Sequence, residues 1–198
     1  MTIVSSCAEI QPEAISVTFS DDFNESINRY IFPQTLTSLT FGHSFNQPIA
    51  PGVLPAGLAS LTFGHFFNQS IAHKVLPISL TSLRFGEYFN QPIALGVLPI
   101  SLIALTLGDY FNQPIAHGVL PARLTSLTFG RYFDQPIALG VLPASLIICN
   151  LPSDHSNRHN WETLKAMPPT ATMHNHDLHG MQRPNVRHFE MPDNANKT

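Results

Sequence analysis

Apolar residues recur along this chain with a period of 22: phenylalanine at 23, 45, 67, 89, 111 and 133, isoleucine at 27, 49, 71, 93, 115 and 137. Proline keeps the same step at 33, 55, 77, 99, 121 and 143, and leucine opens coils at 36, 58, 80, 102, 124 and 146. No insertion breaks the register. The pattern therefore predicts six full coils, 14–35, 36–57, 58–79, 80–101, 102–123 and 124–145, with a partial seventh at 146–150.

Counted from its leucine, the coil Leu36 to Gly57 places apolar side chains at positions 1, 4, 6, 10, 14, 18 and 19: Leu36, Leu39, Phe41, Phe45, Ile49, Val53 and Leu54. The spacing of two between positions 4 and 6 predicts a short strand with one buried face over positions 2 to 6. Beyond Gly42 the spacing turns irregular. Pro48 and Pro55 recur in nearly every coil and would delete the same ladder donor each time, so the remainder reads as turns. A single coil cannot bury its own apolar residues, and only stacking does so. The predicted fold is mainly β: a right-handed parallel β-solenoid of six full coils plus a partial seventh, about 30 Å long at about 4.8 Å per coil. Phe89 and Ile93, in a central coil, are expected in its core.

Polar positions repeat as well. Asn24, Asn46, Asn68, Asn90 and Asn112 hold position 11, with Asp134 in the sixth coil. An asparagine can accept from one buried backbone N–H and donate to a neighbouring carbonyl, so this column is expected to form a structural ladder. Position 7 is glycine from Gly42 to Gly130, which suits a strand end needing unusual backbone angles. Positions 3 and 5 put a Ser/Thr pair outward in several coils: Ser38/Thr40, Ser60/Thr62 and Ser126/Thr128.

Position 8 varies instead, running Asp21, His43, His65, Glu87, Asp109, Arg131. Beside it position 9 runs Asp22, Ser44, Phe66, Tyr88, Tyr110, Tyr132. Exposed aromatics next to mixed charge match the composition of binding hot spots. His43, His65, Glu87, Asp109, Arg131, Phe66, Tyr88, Tyr110 and Tyr132 are therefore the candidate partner-binding residues. The competing reading is that the aromatics lie flat on the turn and shield Phe67, Phe89, Phe111 and Phe133.

The ends depart from the repeat. Residues 1–13 form an N-terminal lead, and the first coil carries Asp21, Asp22, Glu25 and Arg29 where later coils are neutral, with Ser20 in place of glycine. It reads as an N-terminal cap. Residues 151–167 are expected to cap the other end with a short helix in "NWETLKAM", Asn160 being the N-cap and Trp161, Leu164 and Met167 the apolar stripe. Residues 168–198 lack periodicity and are expected to be a disordered, His-containing tail.

Residues 14–150 hold eleven charges and the last 48 hold ten, which also marks a boundary near 150. The net charge of −3 argues against attraction to nucleic acid or an anionic membrane, and no apolar run reaches membrane-span length. Cys7 and Cys149 are far apart and read as two reduced thiols, and the N-terminus has no signal-peptide pattern. These features predict an intracellular, cytoplasmic monomer. The tail's "HNHDLH" (174–179), with His155, His159 and His188, matches no zinc spacing, so no metal site is expected. There is no phosphate loop and no nucleophile elbow. Glu87 and Asp109 stack one coil apart and read as a solvated charge column. No enzyme activity and no cofactor are expected.

The frame "LTSLTFGxxFNQPIxxGVLP" resembles the FNIP repeat, named for its Phe-Asn-x-Pro-Ile core and found in proteins of social amoebae and giant DNA viruses. The resemblance covers residues 14 to about 150, and L-x-x-L-x-F…N is also similar to a leucine-rich repeat with a lengthened turn. It implies a leucine-rich-repeat-like interaction module, sometimes attached to an F-box or a kinase domain. Only thirteen residues precede the first coil here, too few for an F-box, and no kinase motif is present. The expected function is a non-enzymatic scaffold binding an unknown protein through its exposed sheet and turn face. Two alternatives follow: an ice-binding surface built on the Ser/Thr grid, and the recognition part of a ubiquitin-ligase adaptor whose F-box is absent. For the first, Arg84 and Ala104 interrupt the grid.

Overall fold

The computed structural model describes residues 2–27, 32–152, 166–169 and 171–176. Nine strands lie side by side in chain order in one parallel sheet. They are β1 (Thr2–Val4), β2 (Ser16–Phe19), β3 (Ser38–Thr40), β4 (Ser60–Thr62), β5 (Ser82–Arg84), β6 (Ala104–Thr106), β7 (Ser126–Thr128), β8 (Ile148–Pro152) and β9 (Thr172–His176). From β2 to β8 every step pairs a residue with the one 22 further on, as Leu39 with Leu61 and Leu61 with Leu83. The chain is the predicted β-solenoid.

The second to sixth coils each supply only three strand residues, with position 4 pointing fully inward between positions 3 and 5, which are half-buried in most of them. Ladder bonding nevertheless reaches position 6: the Phe41 N–H donates to the Thr62 carbonyl (2.9 Å) and that of Phe85 to Thr106 (2.9 Å). Three tight turns then carry the chain round. In the second coil the N–H groups of Phe45, Val53 and Leu58 donate to the carbonyls of Gly42, Ala50 and Pro55. Pro55 opens the third of these turns and Pro48 lies between the first two, both outside the strand, so no ladder donor is lost.

The core is a column of rings. Within a coil the position 6 and position 10 phenylalanines stack, Phe85 on Phe89 at 3.7 Å and Phe63 on Phe67 at 3.8 Å. Between coils the position 10 rings lie about one coil apart, Phe67 to Phe89 at 6.2 Å and Phe89 to Phe111 at 6.0 Å. Phe89 is buried as expected. Ile93 is not: it and Ile71 are half-buried and pack on the rim of the core, whereas Ile137 in the same column is 3% exposed.

The position 7 glycines have a different cause from the expected one. None of them has a positive φ. Instead each coil crosses the one before it at this point, so a Cβ on Gly86 would fall on the backbone carbonyl of Gly64, and one on Gly108 on that of Gly86. Positive φ occurs at position 17, in Gly52 (79°), Gly96 (78°), Gly118 (78°) and Gly140 (83°). In the third coil that place is taken by Lys74, at φ 66°. A non-glycine residue there costs roughly 1–2 kcal/mol, partly offset by the extra chain entropy a glycine loses on folding. Lys74→Gly is therefore expected to raise stability by up to about 1 kcal/mol, read as a higher denaturation midpoint. A lower midpoint would show that the Lys74 side chain contributes more than its backbone costs.

Both ends are built differently from the sequence expectation. The first coil is not the terminal layer: β1, from the N-terminal lead, pairs with β2, and the Ser20 N–H donates to the Val4 carbonyl at 2.8 Å. Val4 and Cys7 are buried against that end. At the other end β9 pairs with β8, and the Thr172 N–H donates to the Ile147 carbonyl at 2.7 Å. The expected disorder after 168 thus does not extend to Thr172–His176. An open strand edge offers unpaired donors and acceptors, and β9 covers them on β8. Of the proposed cap, Ala166 is buried and Met167 packs on the core, while Asn160, Trp161 and Leu164 lie outside the described residues. Cys7 and Cys149 are free thiols, pushed up to about 11 and about 12, mainly by burial.

Candidate functional site

After each strand the chain turns a corner at positions 8 and 9. The strand ends Arg84, Thr106 and Thr128 precede it in the chain, and Glu87, Asp109 and Arg131 stand on it. Together they line a depression of about 490 Å³, with Phe85, Leu107, Phe129, Leu151 and Pro152. Positions 5 and 8, treated as separate surfaces in the sequence, share this depression.

A backbone ladder keeps positions 8 and 9 in register. The N–H of each position 9 residue donates to the position 8 carbonyl of the coil before: Tyr88 to His65 (3.0 Å), Tyr110 to Glu87 (2.9 Å), Tyr132 to Asp109 (2.8 Å). Side chains one coil apart must therefore meet. At position 8 the imidazoles of His43 and His65 stack at 4.3 Å, and His65 Nδ1 lies 2.9 Å from Glu87 Oε2. Asp109 and Arg131 are exposed beyond them, with the Arg131 guanidinium 5.5 Å from the Tyr132 ring centre.

Position 9 forms a continuous aromatic row: Phe66 to Tyr88 at 5.4 Å, Tyr88 to Tyr110 at 4.8 Å, Tyr110 to Tyr132 at 4.9 Å. These rings are 39–47% exposed. Among the described residues their ring contacts are with one another and with His43 and His65, while Phe67, Phe89, Phe111 and Phe133 are buried. Tyr110 sits between two phenols whose ionisation would bring charge beside it, Tyr88 first and Tyr132 second, and this holds its own phenol above the ordinary value.

The accepting half of the expected ladder is in place, with one addition. Each position 11 Oδ1 accepts the backbone N–H of the next position 11: Asn90 from Asn112, Asn68 from Asn90, Asn46 from Asn68, Asn24 from Asn46, all at 2.9 Å, and Asn112 from Asp134 at 2.8 Å. The same oxygen also accepts from the position 12 glutamine amide, as Asn90 does from Gln113 at 3.0 Å. The glutamines repeat as faithfully as the asparagines, and that was the available signal for them. Asp134 ends the column, and its Oδ1 is buried without a partner among the described residues. Asn90→Ala is expected to cost about 1–3 kcal/mol, because the Asn112 N–H and the Gln113 amide lose their acceptor. Asn90→Asp keeps the acceptor and should cost less. Equal denaturation midpoints for the two variants would remove the ladder from the stability account.

The Ser/Thr grid is half-buried and in register across β3, β4 and β7, but Arg84 and Ala104 break it in the central strands β5 and β6. Among the described residues no group of three or more His, Cys, Asp or Glu could hold a metal ion, and no helix is long and apolar enough to cross a membrane.

The sequence model of a family described as FNIP Repeat matches residues 23–66, 45–88, 67–110, 89–131 and 111–154. No curated protein matches the chain. Among solved structures, the crystal structure of CroV588, described as a novel circular LRR protein structure, is similar at 44% identity and a TM-score of 0.72. The likeness covers 80% of this chain and 23% of that one, so this chain spans less than a quarter of its length.

Proposed function

We propose, from the premise that this chain belongs to the FNIP repeat family, that the solenoid is a non-enzymatic scaffold binding a protein partner along positions 8 and 9. The observation that carries this reading is the half-exposed row Phe66, Tyr88, Tyr110 and Tyr132, beside a charge that changes from coil to coil. The fold requires neither feature. Buried positions repeat because stacking demands it, and small polar side chains suit the solvent face of a strand. Rigid aromatics next to Glu87, Asp109 and Arg131 supply the large contact area and paired charge of interface hot spots. The adjoining depression gives an incoming side chain somewhere to sit.

The test is capture of a partner from the native cell, followed by two double variants. Tyr88→Ala with Tyr110→Ala is expected to weaken capture by about tenfold or more, with little change in melting. Thr62→Ala with Thr128→Ala is expected to leave capture intact. The opposite result puts the interface on the sheet face, and capture no better than control removes the binding reading.

A further inference from the structure

The six acidic side chains of residues 14–145 all stand at positions 8 to 12: Asp21, Asp22, Glu25, Glu87, Asp109 and Asp134. The return half of the coil, positions 13 to 22, has no acid in any of the six repeats, and its charges are Arg29, Lys74 and Arg123. The acids are therefore confined to one side of the coil, which they share with Arg131 at position 8, and a small net charge conceals this. That return half also holds Ile78, Ile100 and Leu139, 83%, 79% and 78% exposed, the three most exposed large apolar side chains among the described residues. Leu139 stands at position 16, in one column with His73, Leu95 and His117. The side chains of His73, Leu95 and His117 each lie 3.2–3.4 Å from where a Cβ would stand on the position 17 glycine of the next coil.

We infer that this basic, apolar return face docks on the acidic, aromatic face of a second copy of the chain, so that copies associate side by side. The inference rests on the reading of positions 8 and 9 as a binding surface and names its partner. Charge is complementary, with Lys74 and Arg123 on one face against Glu87 and Asp109 on the other, and each face exposes apolar area. The repeat agrees as well. Both faces repeat once per 22 residues, so a second copy offers the same kinds of side chain to successive coils of its mate. A partner without that repeat would match at one coil only. Since the two faces differ, the contact is heterologous: each copy uses one face on each neighbour, and the series closes into a ring or runs on.

Sedimentation velocity of the full chain over a wide concentration range is expected to show larger species that recede at high salt. Two surface variants carry the test, each first shown to melt like the unaltered chain: Ile78→Ser with Ile100→Ser, and Tyr88→Ser with Tyr110→Ser. Each alone is expected to weaken association by about tenfold or more, because every contact needs one face of each kind. Mixed, the two are expected to form dimers and nothing larger, since one intact pair of faces remains. A chain monomeric throughout, or a mixture that stays monomeric, overturns the inference. So does binding to phosphatidylserine vesicles that needs Ile78 and Ile100 but not Tyr88 and Tyr110, which would make the return face a lipid contact. A monomer whose captured partner is still lost with the tyrosine pair overturns this inference alone and leaves the interface at positions 8 and 9 standing.

Discussion

Replacing Gly86 by alanine is expected to destabilise the protein by about 4 kcal/mol or more, beyond the range of ordinary substitutions. The new methyl group would fall on the carbonyl of Gly64, with the His65 carbonyl 3.0 Å away. Backbone on both sides is held by the stack, so neither coil can give way alone, and overpacking at roughly 1–3 kcal/mol is exceeded because no rotamer change relieves it. The control is Gly57→Ala. A Cβ there meets only the Gln34 carbonyl, at 3.4 Å, and Gly57 has no positive φ, so the change should be neutral or stabilising by about 0.4–1 kcal/mol. Thermal or denaturant unfolding of the two variants decides the matter. If Gly86→Ala behaves like Gly57→Ala, the coils are not packed backbone to backbone at that corner.

That contrast also shows where the sequence could be read and where it could not. A period of 22 with proline in every turn leaves stacked coils as the way to bury the phenylalanines, and β2 to β8 follow at the expected step. Glycine is recognised by its absence of a side chain, and two different needs produce it: close approach at position 7 and a left-handed backbone at position 17. The letters alone do not separate them. Lys74 hints at the difference, since a left-handed turn tolerates another residue at a cost, whereas the crossing from Gly42 to Gly130 admits none. The terminal strands were hidden for another reason. β1 and β9 lie outside the repeat and take their register from a neighbouring edge, so no pattern in their own residues announces them. At the candidate site the columns at positions 8 and 9 were legible as variable exposed positions. The depression shared with Arg84, Thr106 and Thr128 was not, because it gathers residues of three successive coils whose approach only the stack sets.

Phe89→Ala is expected to cost about 3–5 kcal/mol. The ring is 1% exposed and touches three others, Phe85 within its coil and Phe67 and Phe111 above and below, so truncation leaves a cavity that the stack cannot collapse into without shifting whole coils. The chain itself supplies the milder comparison. In the fifth coil position 6 is Leu107, so Phe111 lacks the within-coil ring partner that Phe89 has in Phe85, and the coil still packs in register. Phe85→Leu reproduces that arrangement one coil earlier and should cost less than about 1.5 kcal/mol, as a hydrophobic swap of similar volume does. Ile93→Ala, at the half-buried rim, should fall between the two. Denaturant midpoints at constant slope would establish the order Phe89→Ala, then Ile93→Ala, then Phe85→Leu. A Phe89→Ala midpoint equal to that of the unaltered chain would mean that position 10 faces out of the solenoid and that the ring column is not what holds the coils together.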